Sequence, residues 1–163
     1  MDIKIIHFAE TGSTNAIAKD YIKSDKRAPF CILADRQTHG YGRYGKSFYS
    51  PMGGLYMTLV VSGADFDCDV ITRIVGEKLL GVLSGCAKNL CIKGVNDIFM
   101  GGKKIAGVLV EKVKQCFVIG IGINLKQTEP VPDGLRDIMG FLDVDADKNE
   151  LVNRILQSLV TNH

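Results

Sequence analysis

Residues 90–121 constrain the fold more tightly than any other stretch. Residues 90–93 read as a strand, Gly94-Val-Asn-Asp97 follows, and 98–100 continue extended. Gly101-Gly102 makes a hairpin turn, 104–111 return, and a second turn at Gln115 leads into the apolar strand 116–121. Links this short leave no room for a helix between the runs, so the segment is expected to be an antiparallel meander of three successive strands.

The flanking segments supply the rest of a sheet and its cover. Residues 3–8 form a short Ile-rich strand, and Gly12-Ser-Thr-Asn15 is a turn able to cap a helix with Ala16, Ile17, Ala18, Tyr21 and Ile22 on its apolar side. Residues 30–34 are a second strand. Residues 55–61 are almost continuously apolar, the pattern of a strand buried on both faces. A long helix starts at Asp67 to Asp69 and is expected to stop at Gly85; a last one, capped by Asp147, carries Leu151, Ile155, Leu156, Leu159 and Val160 on one side. This order of elements predicts an α+β fold, a mixed or antiparallel sheet with helices packed on it. At 163 residues, 46% apolar and 23% charged, the chain suits a single domain with a real core.

Composition also excludes classes. A formal net charge of +2 does not make a nucleic-acid surface. No apolar run has the length of a membrane span or the shape of a signal peptide. The five cysteines are odd in number and lack C-x-x-C spacing, which points to reduced thiols in the cytoplasm rather than disulfides or zinc.

One loop carries the chemistry. Asp35 to Ser47 holds Gly40, Gly42 and Gly45 together with Arg36, Arg43 and Lys46. Glycines let a ligand come close to the main chain, and cations among them suit a phosphate or carboxylate. Gly40 to Gly45 satisfies the dinucleotide pattern G-x-G-x-x-G, and Gly40 to Ser47 satisfies the P-loop pattern G-x-x-x-x-G-K-[ST]. Both need a strand leading straight in and a helix opening at the last glycine. Pro51, Gly53 and Gly54 oppose that helix, and the preceding apolar run ends at Ala34. Neither pattern is met in context.

Four separated stretches together resemble the catalytic domain of biotin protein ligases: Ser13-Thr-Asn15, residues 37–56, residues 93–111 and Gly120-Ile-Gly-Ile-Asn124. The resemblance implies a class II synthetase-like fold spanning 1–163 as one catalytic domain, with neither an N-terminal helix-turn-helix nor a C-terminal SH3-like barrel. It implies an ATP-dependent, adenylate-forming ligase that converts biotin to biotinyl-5'-AMP and passes it to a lysine of a biotin carboxyl carrier domain. Biotin and ATP are then substrates and Mg2+ accompanies the ATP, with no metal held by a dedicated cage. The setting is cytoplasmic, without nucleic acid or membrane, and a homodimer stays open. Two alternatives remain: a lipoate or octanoate ligase, and a non-catalytic biotin-binding module.

The same resemblance assigns residues. Lys93 matches a lysine contacting the reacting carboxylate and phosphate, and Arg43 an arginine of the loop that folds over the adenylate; these two are the catalytic candidates. Ser13, Thr14, Asn15, Gln37, Gly40, Lys93 and Gly107 are expected to bind biotin, with Gly107 lining its slot. Arg43, Lys46, Phe48, Asn96 and Asn124 are expected to bind the nucleotide, Phe48 replacing the usual tryptophan. Asn96 and Asp97 have a plainer role open to them, holding a turn through Asx hydrogen bonds. Lys93-Gly-Val-Asn-Asp97 departs from the family's Lys-Trp-Pro-Asn-Asp, and Tyr41 stands where arginine is common.

Overall fold

The computed structural model describes residues 2–161; Met1, Asn162 and His163, the outermost positions of the 1–163 domain, lie outside the described residues. Strand β1 (Lys4–Thr11) leads into helix α1 (Thr14–Lys23) and back along β2 (Phe30–Gln37). After the glycine loop come β3 (Leu55–Ser62) and helix α2 (Cys68–Leu83). Then follow β4 (Leu90–Lys93), β5 (Asp97–Met100), β6 (Lys103–Val113), β7 (Cys116–Ile123) and helix α3 (Lys148–Val160). The strands make one seven-stranded sheet in the order β1-β2-β3-β7-β6-β5-β4. Only β1 and β2 run parallel, joined through α1; every other neighbouring pair is antiparallel. The expected mixed α+β sheet is the observed one.

The meander has one more reversal than expected. Residues 98–100 do not extend the 90–93 strand but turn back beside it, pairing Lys93 with Asp97 and Leu90 with Met100. Gly94 makes the reversal possible, since its φ of +65° is a left-handed conformation that side chains disfavour.

Helix starts follow from side-chain caps. Ser13, rather than its neighbour Thr14, caps α1: its hydroxyl accepts from the Ala16 amide at 3.3 Å. Asp67 accepts from Asp69 N at 2.7 Å and Asp147 from Asn149 N at 2.9 Å, so both predicted aspartate caps are in place. Helix α2 ends at Leu83, with Ser84 as its C-cap, just ahead of the expected stop at Gly85.

Side-chain alternation along the strands sorts two cores. Leu55, Met57 and Leu59 of β3 and Phe117, Ile119, Ile121 and Ile123 of β7 share one face with Val75, Leu79 and Leu83 of α2 and Leu151 and Ile155 of α3. On the other face α1 covers a much smaller cluster, Ala18, Ile22, Phe30, Ile32, Val60 and Val118. Each fully buried side chain of this size contributes about 1.5–3 kcal/mol, so the α2/α3 face carries most of the stability. The α1 face has room left over.

Candidate active site

That room is a cavity of about 250 Å³ on the α1 face. It is hollow because β6 and β7 present glycine there. Along β7, Val118 packs under α1, but the next two residues on that face are Gly120 and Gly122. A Cβ at Gly120 would stand 2.4 Å from Asn15 Oδ1, and one at Gly122 would stand 2.6 Å from the Phe48 ring. Real atoms never sit that close, so both glycines are needed for the neighbours they have.

Asn15 enters from α1 and is tied at both ends of its amide. Its Oδ1 accepts from the buried Thr58 hydroxyl at 2.6 Å, and its Nδ2 donates to Glu111 at 3.0 Å. Thr58 also shares a hydrogen bond with the Thr14 hydroxyl at 2.8 Å. The Thr14 amide donates to Gln37 Oε1 at 2.8 Å, while Gln37 Nε2 donates to Ser50 at 3.0 Å. Of these, Thr14, Asn15 and Gln37 join Ser13 as a neutral, pre-paired wall of the cavity.

The glycine loop folds over as a small hairpin flap. Phe48 N donates to Gly40 O at 2.8 Å and Gly42 N to Lys46 O at 2.7 Å. Arg43 to Gly45 make a single turn of 3-10 helix, and no helix opens after Gly45, so the P-loop geometry is absent as expected. Arg43 and Lys46 line the cavity, and Arg43 also reaches Asp69 of α2 at 3.4 Å. The Phe48 ring lies across Gly122, edge-on to Tyr56 with 6.4 Å between centroids.

Of the residues singled out in the sequence, Ser13, Thr14, Asn15, Gln37, Arg43, Lys46, Phe48, Asn96 and Gly107 converge on this cavity. Gly40, Lys93 and Asn124 are not among its lining residues. Gly40 serves the base of the flap, where a Cβ would meet Phe48 O and Ser50 Oγ at 2.6 Å. Asn124 is buried just past the end of β7, donating from Nδ2 to Gly140 O at 3.1 Å while its Oδ1 is left without a partner. Lys93 sits on the edge strand β4, exposed, with its ammonium 4.7 Å from the centroid of the Phe99 ring. An exposed amine held over a phenyl face belongs to the surface.

Besides Lys46 of the flap, the lysine lining the cavity is Lys104, which was not singled out in the sequence. Its Nζ lies 2.9 Å from Asp97 Oδ1 and 5.5 Å from the centre of the Phe48 ring. The ammonium and carboxylate are close enough to pair, but the contact is not aligned as a hydrogen bond, and Asp97 Oδ1 has no other partner. Strict alternation would put Lys104 and Gly107 on opposite faces. The ladder instead pairs Ile98 with Ala106 and Phe99 with Lys104, so Ile105 is an extra residue, a bulge. The bulge swings Lys104 round to the face of Gly107, within 3.3 Å of where a Cβ there would be. Sequence reasoning could not see this, because a bulge is a property of two strands in register. Tyr41 and Glu111 were also missed as a pair: the phenol donates to the carboxylate at 2.8 Å across a long stretch of chain.

Ionisation is organised around Glu111. Burial alone would push its carboxyl up, but hydrogen bonds from Lys19, Tyr41 and Asn15 outweigh that and hold it below the usual carboxylate range. Lys19, whose ammonium donates to Glu111 at 2.5 Å, is correspondingly raised: burial opposes its charge, and the Glu111 and Tyr41 contacts prevail. Burial raises the Tyr41 phenol, which keeps its proton and donates it. The charged residues on the cavity are thus the cations Arg43, Lys46 and Lys104 and a single carboxylate, Asp97.

The sequence profile of the biotin/lipoate A/B protein ligase family matches residues 8–124. A biotin–[acetyl-CoA-carboxylase] ligase of Paracoccus denitrificans is 32% identical over 127 residues, 72% of this chain and 52% of that protein. A biotin protein ligase of Aquifex aeolicus, solved with biotin and ATP, superposes with a TM-score of 0.84 at 28% identity, covering 96% of this chain and 68% of that one. A Leishmania major biotin protein ligase solved with biotinyl-5-AMP gives 0.82 at 25% identity, covering 98% and 74%. The chain spans about half the length of the curated relatives it matches.

Proposed function

The chain belongs to the biotin/lipoate A/B protein ligase family, and from that premise we propose that it forms the catalytic domain of a biotin protein ligase. One observation carries this reading: three cations and a neutral hydrogen-bonding wall converge on one glycine-floored cavity. Biotin and ATP are both anions, so joining them requires fixed positive charge where negative charge crowds. The Aquifex and Leishmania relatives, solved with biotin and ATP or with biotinyl-5-AMP, support the same substrates.

In the first half-reaction a carboxylate oxygen of biotin attacks the α-phosphorus of ATP. The new O–P bond forms as the bond to the β-phosphate oxygen breaks, and pyrophosphate leaves with the electron pair. Lys104, fixed by the bulge, offsets the charge shared between the carboxylate and the α-phosphate. Arg43 and Lys46 bring more positive charge as the flap lies down. Ser13, Thr14, Asn15 and Gln37 hold the ureido ring, whose buried polar atoms must be paired. Phe48 offers a ring face to the adenine. In the second half-reaction the amine of a carrier-domain lysine attacks the acyl carbon, and AMP departs with the electrons of the C–O bond.

Magnesium would enter with the nucleotide. Among the described residues no group of three or more His, Cys, Asp or Glu could hold a metal. Asp97, the carboxylate lining the cavity, faces Lys104 Nζ at 2.9 Å and would be the residue able to help hold a metal brought in by the phosphates. When bound, the metal would supply charge neutralisation. Lys93, exposed on the edge strand and not among the residues lining the cavity, is given no part in these steps. The reduced thiols fit a cytoplasmic setting; the five cysteines are unpaired.

Pyrophosphate release from biotin plus ATP tests the reading. Biotin-dependent release supports it. Faster release with lipoate than with biotin would move the protein to the sibling activity, and tight biotin binding without release would make it a binding module. A calorimetric titration with biotin, repeated after adding ATP, separates the last two.

A further inference from the structure

Above its base, the flap is tied to the rest of the protein by very little. The base is held by main-chain bonds, Gln37 N to Ser50 O at 3.0 Å and His39 N to Gly12 O at 2.8 Å. From residue 41 to residue 47, two side-chain hydrogen bonds reach outside the flap among the described residues: Tyr41 to Glu111 and Arg43 to Asp69. The second is 3.4 Å long and ends on an aspartate that is 64% exposed, a geometry that contributes little in water. The first is 2.8 Å long and ends on a carboxylate that is only 26% exposed. Glu111 itself is held by two donors from one helix. Lys19 and Asn15 of α1 both donate to it, and the Lys19 ammonium sits 5.4 Å from the centre of the Tyr41 ring.

We infer that Tyr41 is a positioning residue: its hydroxyl, bonded to Glu111, is the clasp that holds the flap down over the cavity and sets how readily the flap lifts. A hydrogen bond to a charged, half-buried acceptor is among the stronger kinds. Asn15 makes the clasp part of the cavity wall, because the amide that meets Glu111 through its nitrogen is pinned at its oxygen by Thr58. A lifted flap therefore takes Arg43 and Lys46 away from the ligand while leaving that wall in place. The clasp acts on biotin only if the function proposed above is right, but flap lifting itself is independent of it.

Trypsin reads flap lifting directly, since Arg43 and Lys46 are cleavage sites within the flap. When opening is fast, the cleavage rate follows the population of the open form. Tyr41→Phe keeps the ring and removes the bond, and is expected to raise cleavage after Arg43 and Lys46 about tenfold in the unliganded full chain. Glu111→Gln leaves the phenol a neutral acceptor and should raise it by less, roughly threefold. Tyr44→Phe, altering a ring that is 88% exposed, should change nothing. In the same Tyr41→Phe protein, biotin measured by stopped flow should dissociate faster by a factor similar to the cleavage increase. Unchanged flap cleavage in both Tyr41→Phe and Glu111→Gln would overturn the clasp, as would an increase shared equally by Lys19 and Lys23 in α1, which would mean general loosening. Biotin that fails to bind, with the cleavage differences intact, would count against the ligase reading alone.

Discussion

The floor of the cavity and the flap above it are made on opposite principles. The floor is the front of β3, β6 and β7, whose backs are buried against α2 and α3 through Met57, Leu59, Val108, Val110, Ile119 and Ile121. Its shape comes from side chains that are missing, at Gly107, Gly120 and Gly122, on a backbone the whole core holds still. The flap has no core. It keeps its place by main-chain bonds at its base and by a few polar contacts near its tip. Changes to the floor should therefore cost stability or abolish chemistry, and changes to the flap should alter rates.

The largest test compares cations. Lys104 is fixed to the floor by the bulge, Arg43 rides on the flap, and Lys93 lies outside the cavity. Lys104→Met is expected to lower biotin-dependent pyrophosphate release by about a thousandfold, as for a pre-positioned charge lost from a reacting centre. Arg43→Met should lower it by roughly tenfold to a hundredfold, because a mobile cation is not pre-organised to the same degree. Lys93→Met should stay within about twofold, as a surface substitution does. If Lys93→Met were the most damaging of the three, the floor would have been assigned the wrong lysine.

Next in size are two glycines of the same floor. Gly120→Ala drives a methyl into Asn15, whose oxygen and nitrogen are 2.4 Å and 2.9 Å from the new atom and are both tied to neighbours. Overpacking of this kind costs about 1–3 kcal/mol, measured by urea unfolding. Gly107→Ala meets only the flexible end of Lys104, at 3.2 Å and 3.3 Å, and Asp97 Oδ1 at 3.6 Å. It should cost less than about 0.5 kcal/mol of stability while weakening biotin binding, because the methyl enters the slot. Equal stability losses would mean that Asn15 can retreat and the floor is softer than its packing suggests.

These residues also show what could be read from the chain. Strand and helix positions were legible because burial writes its period into the sequence: 55–61 gave a buried strand, and Asp67 and Asp147 gave helix starts. The glycine loop was legible as a local pattern, whereas Ser13, Thr14 and Gln37 were singled out only through the resemblance to biotin protein ligases. Lys104 was not, since the bulge that aims it arises only when β5 pairs with β6 out of register. Nor was the turn at Gly94, where a single left-handed residue converts one long strand into a hairpin. Glu111 reads as one more strand residue until α1 and the flap arrive on either side of it.

A smaller effect is expected at Thr58, the polar residue within the apolar β3. It is fully buried and its hydroxyl serves Asn15 and Thr14. Thr58→Val keeps the shape and strands the Asn15 oxygen, at a cost of about 1–2 kcal/mol. Biotin affinity should fall with it, since the wall loses its order. Affinity unchanged at reduced stability would separate the wall from binding.

The smallest effect belongs to the flap and is read through pH. Glu111 has its carboxyl held below the usual value of 4.5 in the folded protein, because the hydrogen bonds from Lys19, Tyr41 and Asn15 outweigh burial. A depressed carboxyl favours the folded state fully above that usual value, and the contribution disappears as pH falls through the lower, folded one. The parent should thus lose stability more steeply than Glu111→Gln as the pH drops below about 4.5, the two curves running parallel above it. Flap cleavage by an acid-active protease should rise over the same interval, because protonating Glu111 weakens the tie to Tyr41. Curves that stay parallel down to about pH 3 would mean Glu111 holds the flap without its charge, and the contrast between floor and flap would then rest on packing alone.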